Sequence, residues 1–285
     1  MRSAAPTESP FERGEEVAVR WTVGDVSPEG FEALQLSIWG AWRCFGPAAQ
    51  YAVCVNTVSA DAARRRAGAV PGAVRWLQSE TVFPDFLRPF LDGGLAQGCA
   101  WKLAPIRLFP DHYELALDND CILWRVPRAA RDWIAERHPR RCLIAADVLP
   151  CFGAFAAAAG RAPRNAGIRG LPPGLDFAAV IEEVLRDHPS LVRGQVDEQG
   201  LQVAAVRRAG RPRVVSVREV TICSPFPPRQ SHLGRSGAHF VDLNVRDPAF
   251  RMGGRPAVPE LRAHWRRHRE RLHRLVGLPP PDAFP

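Results

Sequence analysis

Lysine is almost missing from this chain. Of its 38 lysine and arginine residues only Lys102 is lysine, and asparagine is confined to positions 56, 119, 165 and 244. A compact three-donor ammonium and a donor–acceptor amide do what arginine and aspartate cannot reproduce, so these few residues are the first candidates for functional positions. Also absent is any apolar run approaching the ~20 residues that span a bilayer. The opening stretch MRSAAPTESPFERGEE lacks the apolar centre of a signal peptide, and a cytoplasmic location is the expectation. The seven cysteines, at 44, 54, 99, 121, 142, 151 and 223, are odd in number, with no Cys-x-x-Cys pair and no zinc-finger spacing. That argues against a disulfide framework or structural zinc and for reduced, mostly buried thiols. No Walker or Rossmann glycine fingerprint is visible either.

What is present is enough for a substantial core. With 285 residues and 46% hydrophobic composition, one large α/β domain fits, expected over residues 16–250 after a disordered 1–15. The net charge of +8 is concentrated at the end: between Arg251 and Val276 eight arginines face two glutamates. In the same stretch Val258, Leu261, Trp265, Leu272, Leu275 and Val276 recur at helical spacing. Residues 251–285 are therefore expected to form a basic amphipathic helix and a Pro-rich tail packed on the domain. A solvated basic face accounts for the charge better than nucleic-acid binding, which usually needs more than one helix's worth of it; weak association with an anionic membrane surface stays open.

Along the chain, strand and helix patterns alternate. PAAQYAVCVNTVS (47–59) reads as a strand ending in Asn56-Thr57, and with the helical ADAARRRAG it makes the first α/β unit expected from the sequence. VRWLQSE (74–80) follows as a second strand, and 83–109 holds a helix broken by prolines and glycines. Residues 128–138, 175–189 and 196–210 read as helices, 140–149 as a strand ending near Asp147, and 212–225 and 237–245 as late strands. RNAGIRGLPPG (164–174) reads as a Gly/Pro-rich turn around a short strand. Such alternation implies a mostly parallel central sheet flanked by helices, with ligands at the carboxyl ends of its strands. In YELALDNDCILWRVP (113–127) two aspartates stand one residue apart between apolar runs. They read as an ordinary turn, or as two hard carboxylates leaving a strand end toward Mg²⁺ or Mn²⁺.

The ordered series WKLAP (101–105), LDND (117–120), NAGIRGLPP (165–173), DEQGL (197–201) and GAHF (237–240) resembles the nucleotide-sugar-dependent glycosyltransferases of GT-A fold, of the glycogenin and bacterial galactosyltransferase kind. The resemblance covers roughly residues 50–245 and implies a GT-A-like fold. It implies that Asp118, Asp120 and His239 hold Mn²⁺ or Mg²⁺ against the diphosphate of a nucleotide sugar, UDP-linked as a first guess. Lys102 is expected near the donor phosphates, and Asn56, Thr57, Asn119, Asn165, Gly167 and Gln199 along the donor or acceptor pocket. Asp197 and Glu198 become the candidates for acceptor base or for the carboxylate that orients the sugar. The acceptor is unknown. Each residue also has a plainer reading: His239 as a core histidine, Lys102 as a surface lysine, Asn165 as a turn residue. The chain departs from glycogenin relatives in lacking a Tyr- or Asp-rich start after VCVNT and a Gly-x-x-Lys-Pro-Trp tail after the late histidine. Two rival functions remain: a nucleotidyltransferase acting on sugar phosphates, which ordinarily shows a Gly-rich phosphate loop, and a non-catalytic basic module binding nucleic acid or another anion.

Overall fold

In a computed structural model the described residues are 11–79, 84–91 and 100–279. Twelve strands and seven α-helices lie among them. The strands are β1 (Val17–Val23), β2 (Gln50–Val55), β3 (Arg75–Gln78), β4 (Tyr113–Asp118), β5 (Cys121–Leu123), β6 (Leu143–Ala146), β7 (Arg164–Leu171), β8 (Arg213–Val215), β9 (Val220–Ile222), β10 (Gly237–His239), β11 (Arg251–Met252) and β12 (Arg255–Pro256). The helices are α1 (Pro28–Phe45), α2 (Ala60–Ala67), α3 (Arg128–Glu136), α4 (Ala156–Ala159), α5 (Phe177–Asp187), α6 (Gln195–Ala209) and α7 (Ala257–Val276).

The main sheet has seven strands in the order β3-β2-β1-β4-β7-β6-β8, and only β7 runs against the rest. A three-stranded sheet, β5-β10-β9, sits beside it. β1 is covered on both faces, so VAVRWTV is apolar throughout apart from Arg20 and Thr22. Arg20 is fully buried, and its Nε lies 2.8 Å from Glu114 Oε1 on the adjacent β4. Glu114 Oε2 accepts from the backbone N–H of Leu108 (2.7 Å) and Phe109 (2.6 Å), so this buried pair is held by further hydrogen bonds, without which it would cost more than it contributes.

The first α/β unit differs from expectation. It is β1 and α1, ahead of the strand read at 47–59. α1 has sharp ends: Ser27 Oγ accepts from Gly30 N at 3.1 Å, Pro28 opens the first turn, and Gly46 at φ 75° closes the last. Of the 1–15 segment expected to be disordered, residues 11–15 are placed against this unit; Phe11 N–H donates to Cys44 O at 2.9 Å and its ring meets Phe45 edge-on. Residues 1–10 lie outside the described residues, as do the Pro-rich tail from 280 onward and 92–99 of the broken helix.

A second difference is β7. The short strand expected inside a Gly/Pro-rich turn is in fact eight residues long, buried from Asn165 to Leu171, between β4 and β6. Helix α7 packs as expected, with Trp265, Leu272 and Val276 in one apolar cluster with Ala33 and Leu36 of α1. Glu32 of α1 anchors it by accepting from Arg269 Nε (2.6 Å) and Trp265 Nε1 (3.0 Å), with His273 Nε2 3.1 Å away. Among the described residues no helix is long and apolar enough to cross a membrane.

Candidate functional site

β4 delivers Asp118 to the carboxyl end of the main sheet, and the chain turns through Asn119 and Asp120 directly into β5 of the smaller sheet. Because β5 pairs with β10, the turn is carried up to His239, the last residue of β10. Its Nε2 lies 3.2 Å from Asp120 Oδ1 and 3.5 Å from Asp118 Oδ2. Oxygen and imidazole donors of all three residues fall within 4.8 Å of one another. Burial acts against a charged imidazole, but hydrogen bonds and charge from both aspartates outweigh it and push His239 up to about 10. The imidazole thus stands between two carboxylates. Two carboxylates and one imidazole this close are a donor set that could hold a metal ion, and their chemistry fits Mn²⁺ or Mg²⁺.

Neighbours complete the cluster. Lys102 Nζ is 2.7 Å from Asp118 Oδ1 and 3.9 Å from Glu198 Oε2. Burial raises the Asp118 pKa, yet Lys102 and His239 together hold it below the usual carboxylate range, whereas Asp120, buried and repelled by Asp118, is raised despite His239. Glu198 sits in the first turn of α6 with no solvent exposure and is pushed up to about 7, by burial first and by Asp118, against the pull of Lys102. One of its oxygens is fixed: Gln202 Nε2 donates to Oε1, and Gln202 in turn accepts from Arg169. Its Oε2 is buried without a hydrogen-bond partner.

The adjacent Asp197 does not share this position. Its Oδ1 accepts from Ala154 N (2.8 Å) and its Oδ2 from Arg193 N (2.9 Å), so both oxygens tie backbone segments together at the start of α6. Of the two acids proposed from DEQGL, geometry places Glu198 in the cluster and Asp197 in a capping role. Gln199 bridges segments as well, donating to Cys151 O at 2.9 Å and accepting from Ala166 N at 3.3 Å.

Asn165 accepts from Gly167 N at 2.7 Å and donates to Asp147 Oδ2 at 2.8 Å. Gly167 is required by its neighbour: a Cβ there would lie 2.3 Å from His239 Cε1 and 2.5 Å from Nδ1. This explains why a buried central strand carries a glycine opposite the histidine. Asn119 points back to α1, donating to Gly30 O at 3.0 Å. Asn244 was among the scarce asparagines but had no assigned role; its Nδ2 reaches Asn119 Oδ1 (3.0 Å) and Asp120 Oδ2 (3.2 Å). Two strands away along the same sheet edge, about 10 Å at the usual strand spacing, Asn56 is buried with both amide atoms unpartnered. Beside it Thr57 takes φ 57°, a strained conformation for a β-branched residue, and its Oγ1 accepts from Asp25 N at 2.9 Å.

No protein-family model and no curated protein matches the sequence. Solved structures do match. A galactosyltransferase, LgtC, in complex with donor and acceptor sugar analogues is 14% identical at a TM-score of 0.56, covering 94% of this chain and 97% of that chain. An active-site mutant of LgtC gives 13% identity and a TM-score of 0.51 over 87% of this chain and 94% of that one. Mouse xyloside xylosyltransferase 1, apo form, gives 10% and 0.54 over 81% and 99%. At such identities the likeness speaks for architecture alone: the chain has the GT-A-like fold that these structures share.

Proposed function

We propose that this protein is a divalent-metal-dependent glycosyltransferase that moves a sugar from a nucleotide sugar, UDP-linked in the first instance, to an acceptor. The observation that carries the reading is the meeting of Asp118, Asp120 and His239 with Lys102 and Glu198 at the carboxyl end of the sheet, on the GT-A fold. Asp118, Asp120 and His239 hold Mn²⁺ or Mg²⁺. When bound, that ion offsets the negative charge that develops on the departing diphosphate.

The chain's own residues do the rest. Lys102 adds a second positive charge on the phosphate side, and Asn244 holds Asp120 and Asn119 in place. Glu198, with one oxygen fixed through Gln202 and the other turned to Lys102, is the carboxylate that faces the transferred sugar. Asn165 and Gly167 line the sugar side, and unpartnered Asn56 with Thr57 the nucleoside side, where a base or ribose satisfies the buried amide.

Thermal denaturation with Mn²⁺ and UDP, alone and together, tests this directly. Together they stabilise the protein by about 2–3 kcal/mol at a hundredfold excess over Kd, and Mn²⁺ alone does far less. Asp118→Asn and Asp120→Asn abolish that joint effect and lower transfer or donor hydrolysis by roughly a thousandfold, the worth of several kcal/mol of charge stabilisation, while both stay folded: Asp120→Asn melts at or above the wild-type temperature because its carboxyl pKa is raised, and Asp118→Asn somewhat below it because Lys102 and His239 favour its charge. Wild-type-like Mn²⁺-dependent turnover in both variants overturns the mechanism.

A further inference from the structure

We propose that Cys223, His264 and His268 form a second metal site, for a borderline-soft divalent cation of the zinc type, separate from the Asp118–Asp120–His239 cluster. Cys223 follows β9, while the two histidines lie one helical turn apart on α7, where i and i+4 share a face. Their donor atoms all fall within 4.8 Å of one another. Cys223 Sγ is 3.3 Å from His264 Nε2. A tetrahedral zinc about 2.3 Å from sulfur and about 2.0 Å from nitrogen sets those two atoms roughly 3.5 Å apart, so the spacing is already that of a shared ligand shell.

The surroundings fit as well. His268 Nε2 faces the Ser231 carbonyl at 3.0 Å, and a carbonyl only accepts. Nε2 therefore carries the proton, and Nδ1 keeps the lone pair that a metal takes; a backbone carbonyl fixing the tautomer is a common support of metal-bound histidine. Cys223 and His264 are buried, with Phe240 packed beside both imidazoles, and half-buried His268 leaves a side for entry and for water as the fourth ligand. A plain thiol–imidazole hydrogen bond is the competing account. It does not explain why His268 is brought so close, with its ring centroid 4.7 Å from that of His264.

Binding is a proton-for-metal exchange: the thiol S–H bond breaks, its proton goes to solvent, a sulfur–metal bond forms, and nothing is oxidised or reduced. The donor sets sort the ions, with sulfur and two nitrogens against two carboxylates and one nitrogen. The site would staple α7 to the small sheet next to the strand bearing His239, since Cys223 N–H donates to His239 O at 2.7 Å. With His264 standing 41 positions after Cys223, no short sequence motif announces it.

The test is a Co²⁺ titration of the full chain after dialysis against chelator, without nucleotide. A thiolate-to-cobalt charge-transfer band saturating at a single equivalent and bleached by Zn²⁺ is expected. Cys223→Ser and His268→Gln remove it, and the double variant Asp118→Asn, Asp120→Asn keeps it. Should Cys223→Ser fail to fold, His268→Gln, at a half-buried helix position, carries the test alone. No band in folded wild type, or a band that persists in His268→Gln, overturns the proposal.

Discussion

The middle and the carboxyl end of the main sheet bury the same kind of chemistry and treat it oppositely. In the middle, Arg20 and Glu114 pair at 2.8 Å, Glu114 accepts from two backbone amides, and Arg20 Nη2 donates to the carbonyls of Lys102 and Ile106 at 3.1 Å each. At the end, Lys102 is shared between Asp118 and Glu198, Glu198 keeps an oxygen without a hydrogen bond, and His239 stands between two aspartates. Burial is common to both, so burial does not distinguish a site from a frame. Charge balance and place do: the middle sets one guanidinium against one carboxylate inside the sheet, even though Arg20 Nη1 makes no hydrogen bond, whereas the end gathers Asp118, Asp120 and Glu198 around Lys102 and His239 where the strands finish.

The sharpest way to break that contrast is to open the frame. Arg20→Ala strands Glu114 in the core and is expected to cost about 3–5 kcal/mol, read as a lower urea midpoint at unchanged slope. Lys102→Ala at the sheet end has the complementary profile. Stability changes little, while kcat/KM falls about a hundredfold, and Lys102→Arg recovers only part because a planar fork replaces a point charge. An equal loss of stability in Lys102→Ala and Arg20→Ala would erase the distinction. The smallest effect concerns Glu32, a paired carboxylate at the α1–α7 interface. Burial raises its pKa, but hydrogen bonds from His273, Arg269 and Trp265 prevail and lower it from its ordinary 4.5. A depressed carboxylate contributes stability that is complete above that ordinary value and fades as the pH falls below it. Glu32→Gln therefore costs about 1 kcal/mol near neutrality and flattens the acid limb of a stability–pH curve, with turnover unchanged.

Part of the sheet end was legible in the residues themselves, Lys102 by scarcity and the Asp-x-Asp by its spacing, whereas His239 was implied only by the resemblance of GAHF to a family motif. Asn244 was legible in the same way, by scarcity, yet its contact with Asp120 depends on a turn no local pattern announces. The first α/β unit was hidden for a different reason. Arg20 interrupts an otherwise apolar strand, and its partner Glu114 lies on another strand, so polarity disguised a core element. In α1, Gly40 weakens the helical signal, though a Cβ there would lie 1.9 Å from Leu123 O and the helix could not sit against β5 otherwise. β7 read as only a short strand within a turn because Gly167 looks like punctuation, when its job is to clear room for His239. Asp197 and Glu198 were inseparable in sequence; one residue of helical rotation, about 100°, separates a backbone cap from a carboxylate beside Lys102.

The solitary lysine has a practical side. Because every other basic side chain is arginine or histidine, Lys102 and the N-terminal amine are the chain's only aliphatic amines. Reductive methylation with isotope-labelled formaldehyde would therefore plant a resolved NMR reporter 2.7 Å from Asp118 without any mutation, and protection of that amine by a ligand would locate binding before the ligand's identity was known.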